Sequence, residues 1–71
     1  MSNNLKTKLS REIQDLDMEM HMLSHEIRAV VKELNNDLNN ETLKSKYNNL
    51  MRRHDELEIM YFEKCDKYKT L

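Results

Sequence analysis

Between Leu9 and Leu34 the apolar residues fall at Leu9, Ile13, Leu16, Met20, Leu23, Ile27, Val30 and Leu34, stepping alternately by four and by three. This is a heptad, with Ile13, Met20, Ile27 and Leu34 at position a and Leu9, Leu16, Leu23 and Val30 at d. A mean spacing of about 3.5 residues keeps one stripe turned toward a neighbouring helix along its whole length. Such a chain must bury that stripe against another helix or leave an apolar ridge in water.

The spacing returns at Leu43, Tyr47, Leu50, His54, Leu57, Tyr61, Lys64, Tyr68 and Leu71, now starting from d. Leu34 to Leu43 is nine residues, where an unbroken heptad needs ten. The slip coincides with Asn35-Asn36-Asp37-Leu38-Asn39-Asn40, whose side chains compete with helix for backbone hydrogen bonds. A turn explains both facts; a continuous helix with a local stammer is the competing arrangement. The pattern therefore predicts one helical-hairpin domain over 1–71, with helix one at about 5–35, a loop at about 36–40 and helix two at about 41–69.

Residues 1–4 read as a frayed start, with Ser2 or Asn4 capping a helix that begins near Leu5. Asn35, Asn36 or Asn39 is expected in the left-handed conformation that ends helix one. Asn40 is the expected N-cap of helix two, followed by Glu41 in its first turn.

Composition agrees. Among 71 residues there is no glycine and no proline, against usual shares of about 7% and 5%. Sheets and many-turned globules need those residues; two long helices do not. The fold class is all-α, an antiparallel two-helix coiled coil. Folding back pairs Leu34 with Leu43, Val30 with Tyr47, Ile27 with Leu50, Leu23 with His54, Met20 with Leu57, Leu16 with Tyr61, Ile13 with Lys64 and Leu9 with Tyr68.

One hairpin buries its seam poorly alone, and chains this short usually need oligomerisation, metal or disulfides. Val31, Leu38, Met51 and Cys65 at e and Met60 at g widen the stripe, which suits a bundle of three or four helices. Dimerisation into a four-helix bundle is the expectation, with docking on a helical surface of another protein beside it. Met18, Met22 and Ala29 on helix one, and Ile59 and Phe62 on helix two, form further stripes. Met18, Met22, Ile59 and Phe62 are thus candidates for a second partner face, since methionine adapts to varied surfaces.

His54 at a central a position is expected to fix register, and its protonation would loosen the assembly. Lys64 at d, near the open end, is expected to snorkel to water. His21 and His25 form an H-x-x-x-H pair with Asp17 one turn earlier, the spacing of a zinc face. No fourth ligand joins them on helix one and the metalloprotease pattern is absent, so no metal and no cofactor is expected. Cys65, the lone cysteine, excludes an internal disulfide and fits a reducing interior, cytoplasmic or nuclear.

Twelve basic against thirteen acidic side chains lack the basic footprint of a nucleic-acid binder. Lys44, Lys46, Arg52 and Arg53 nevertheless stand in a stretch without an acid, while residues 12–26 carry five acids and neither lysine nor arginine. Charge pairing between helices is the plain reading and phosphate contact the sharper one. A hairpin dimer of this size resembles in architecture the plasmid copy-number regulators, which implies RNA binding, though it shares no motif with them. His54-Asp55-Glu56-Leu57-Glu58 lacks the Ser, Gln and final Asp that mark the hairpin sporulation phosphatases. No apolar run is long enough for a membrane span, and no secretion signal is visible. The function expected is a noncatalytic protein–protein interaction module: a small adaptor, subunit or regulator. The alternative is a small RNA-binding regulator using the Lys44–Arg53 patch.

Overall fold

In the computed structural model the protein consists of α1 (Ser2–Asn36) and α2 (Glu41–Thr70), joined by residues 37–40. The structure describes residues 2–71, with side chains from Asn4 onward. The helices lie side by side in a rod of 55 × 14 × 13 Å. A helix of 35 residues spans about 52 Å, so the rod is one helix long and the chain folds back. Its radius of gyration, 16.2 Å, exceeds the roughly 11 Å of a compact chain of this length. The all-α hairpin is what forms, and the stammered single helix is not.

Side-chain amides and tightened turns make the bend. The Asp37 N–H donates to the Leu34 carbonyl at 3.0 Å, closing α1 with an i,i+3 bond. The Asn36 side-chain amide donates to the Lys32 carbonyl at 3.4 Å. Asn40 N–H then reaches the Asp37 carbonyl at 3.2 Å. Asn40 is extended (φ −75°, ψ 103°) and caps α2, its Oδ1 accepting the Leu43 N–H at 3.0 Å. Its Nδ2 donates to Asp37 Oδ2 at 3.1 Å, tying the cap to the turn. Glu41 follows in the first turn, where a carboxylate meets the positive helix end.

Two expectations fail here. No described residue has a positive φ, so Asn35, Asn36 and Asn39 supply no left-handed cap. The i,i+3 bond of Asp37 already satisfies the Leu34 carbonyl and reverses the chain without one. α1 also starts earlier than expected: residues 2–4 are helical, so Asn4 lies inside the first turn instead of capping it. The expected fraying of Met1 and the Ser2 side-chain cap fall outside what is described.

The core is narrow. Leu9 and Leu16 (7% exposed), Val30 (2%) and Leu57 (1%) are buried, and all four are d residues. The a residues Ile13, Met20, Ile27, Leu34, Tyr47, His54 and Tyr61 are half-buried, as are Leu23, Leu43 and Leu50 at d. Tyr68 departs from the expected seam, being 39% exposed. It lies at the open end, where no further layer covers it, with the Lys6 ammonium 5.5 Å from its ring centroid.

Leu57→Ala should lower stability by about 2–5 kcal/mol, because a cavity opens in the best-packed layer. Met22→Ala, on the exposed outer side of α1, should stay within about 0.5 kcal/mol. Thermal unfolding followed by circular dichroism checks both; equal losses would contradict the placement of Leu57.

Candidate interaction surface

In an antiparallel helix pair the g edges meet along one side of the seam and the e edges along the other. On α1 every g position from Glu12 onward is an acid: Glu12, Glu19, Glu26 and Glu33. On α2 the g positions are Lys46, Arg53, Met60 and Lys67. This side, which carries the buried d residues, is bridged by charge. Arg53 binds Glu19 across the seam at 3.2 Å, and Lys64 binds Glu12.

Lys64 therefore does not run out to water as expected; a carboxylate sits within its reach on the facing helix. The hydrogen bond from Lys64 holds the Glu12 carboxyl below its usual value. Partial desolvation opposes this, and the charges of Lys64, Lys8 and Lys67 add to it.

The e side is different. On α1 its residues include Ser10, Asp17 and Ser24, which are too short to roof the seam. A shallow groove results. At the open end Ser10, Ile13 and Gln14 face Cys65 and Tyr68. At mid-length Met20 and Ser24 face His54 and Tyr61, and toward the bend Ile27 faces Met51. Ser24 turns its hydroxyl onto the Met20 carbonyl at 3.0 Å, so it adds little polarity to the trough. Cys65 is a free, half-buried thiol beside Tyr61. Its charge when ionised, then its hydrogen bond, partial burial and Asp17 push the Tyr61 phenol above its usual value. The groove thus carries a neutral hydroxyl there at physiological pH.

His54 stands in this groove wall and is not enclosed in the seam. Its Nδ1 lies 3.8 Å from Glu58 Oε2, one turn along α2. Phe62 also belongs here: its ring meets Tyr61 edge-on at 5.7 Å and lines the groove beside Met20 and His21. Met18, Met22 and Ile59 are well exposed on the outer sides of the two helices. The four candidates for a second face therefore do not share one surface.

The cations of the Lys44–Arg53 stretch are scattered. Lys44 pairs with Glu41 at 3.4 Å, Arg52 donates to Asn49 at 3.2 Å, and Arg53 binds both Glu19 and Glu56. By heptad position Lys44 lies on the e edge, Lys46 and Arg53 on the g edge, and Arg52 outside. They do not converge on one strand of phosphates. His21 and His25 approach to 3.3 Å between Nε2 atoms, rings edge-to-face. Among the described residues no group of three or more His, Cys, Asp or Glu side chains is placed to hold a metal ion.

No described helix is long and apolar enough to cross a membrane. No protein-family model matches this chain, and neither a curated protein nor a solved structure matches it. The architectural likeness to plasmid copy-number regulators is accordingly carried by no matched structure.

Because the folded value of Glu12 lies below its unfolded one, the Glu12–Lys64 bridge stabilises at neutral pH. That contribution is lost as pH falls through the folded value. Wild type should melt above Glu12→Gln at neutral pH, with the gap closing as the pH falls below the ordinary carboxylate range. A gap independent of pH in thermal melts would show that the bridge contributes nothing through charge.

Proposed function

We propose that this chain is a noncatalytic helical interaction module, a small adaptor, subunit or regulator that offers its groove side to a helical surface. The observation that carries this reading is the inequality of the two sides of the seam. Every buried residue among those described, Leu9, Leu16, Val30 and Leu57, lies on the d side that the ion pairs border, whereas no a residue is buried and Ile13, Met20 and Ile27 stay half-buried along an open trough. Apolar residues one heptad apart are the anchors a partner helix presents to such a groove. The methionines and the thiol among them are soft enough to adapt to a partner's side chains.

Recognition of RNA through Lys44, Lys46, Arg52 and Arg53 is the weaker reading. Arg53 is engaged by two carboxylates, and the four cations point in three directions around α2. Phosphate binding would also weaken steeply with salt, while burial of apolar surface would not.

In capture from an extract of the source cells, proteins held by the wild-type chain should be lost with Ile27→Glu and kept with Met18→Glu. Equal recovery on both variants would contradict the groove as the working surface. An electrophoretic shift of RNA at low salt that Arg52→Ala abolishes would favour the rival.

A further inference from the structure

We propose that a second copy of this chain occupies the groove side, two hairpins closing face to face into a four-helix bundle. The inference rests on the interaction-module reading and names its partner. Area points first in this direction. The hairpin exposes 5717 Å², whereas a compact protein of 8.6 kDa exposes about 4,700 Å². The excess, about 1,000 Å², matches the roughly 800 Å² per partner that a standard stable interface covers.

The position of that excess decides which side is covered. The d side is bridged by Glu12–Lys64 and Glu19–Arg53, and an apolar partner there would have to take both charge pairs out of water. The groove side presents Met20, Ile27, Met51 and Tyr61 half-buried, with Phe62 exposed on its rim. Burying them removes the apolar surface that a single hairpin cannot cover for itself.

Charge identifies the occupant. On the a, e and b positions that form this side, Asp17, Glu41, Asp55 and Glu58 are matched by Lys6, Arg28, Lys44 and Lys69. A strongly acidic or basic partner gains nothing from such a balance. An isologous interface places the same patch on both subunits and must be complementary to itself, which a balanced, apolar-centred face satisfies.

The test is sedimentation equilibrium of the full chain at about 100 µM, with variants on the two sides. Wild type and Met22→Glu, an outer substitution, should sediment at twice the chain mass. Met20→Glu should sediment as a single chain. Phe62 is exposed in the hairpin, so Phe62→Glu should remain helical while weakening self-association by about 30-fold or more. A helical wild-type monomer at this concentration overturns the proposal, and so does undiminished dimerisation of a helical Phe62→Glu. Either result leaves the module reading to the capture experiment, where a different helical protein would have to bind the groove.

Discussion

The meeting of d-position side chains under a rim of opposite charges is the contact on which this molecule depends. Leu9, Leu16, Val30 and Leu57 are its only buried apolar residues among those described. Each lies on the side where α1 carries glutamate and α2 carries lysine or arginine. Long charged side chains can cover apolar surface with their methylene stems while their heads pair in water. Glu12, Glu19, Arg53 and Lys64 can therefore exclude water from the d layer and fix the antiparallel register together. Exposed pairs of this kind are individually weak. Their contribution is to choose which side closes.

The opposite side follows from what is missing at the edge of α1. Ser10 and Ser24 stand where a longer residue would have reached α2, so the a residues beside them are only half covered. Two helices alone cannot enclose both sides of a seam, and a rod about 14 Å wide has no third layer to supply the cover. The proposed function and the proposed partner both arise from this asymmetry.

Much of the fold was legible because it rests on periodicity. Eight apolar residues in strict heptad order leave few alternatives, and the nine-residue step at the asparagine cluster marks the reversal. Asn40 was legible as a cap because its side-chain oxygen has one favourable use there, the Leu43 N–H. The left-handed asparagine was not needed, since a tightened turn at Asp37 did the same work, and propensity cannot choose between two such endings. Lys64 was misjudged because a heptad letter assigns a direction and not a reach; Glu12, beside its expected partner Ile13, lay within that reach on the other helix. The surface was the least legible part. The seam residues were identifiable, but which side of the seam stays open depends on the e and g edges taken together. The signal was present in four glutamates at g against two serines at e. Phe62 was grouped with the outer methionines because its letter, b, sits between the groove and the outer side.

The most direct test of the account is the distance between the chain's two ends. Spin labels at Asn4→Cys and Thr70→Cys in a Cys65→Ser background, diluted with unlabelled protein, report it by double electron–electron resonance. A seam closed across the asparagine bend predicts a short separation, under about 20 Å, for helix axes that pack 8–10 Å apart. A distribution centred far beyond that, toward the roughly 100 Å of one continuous helix, would contradict the hairpin and every surface derived from it.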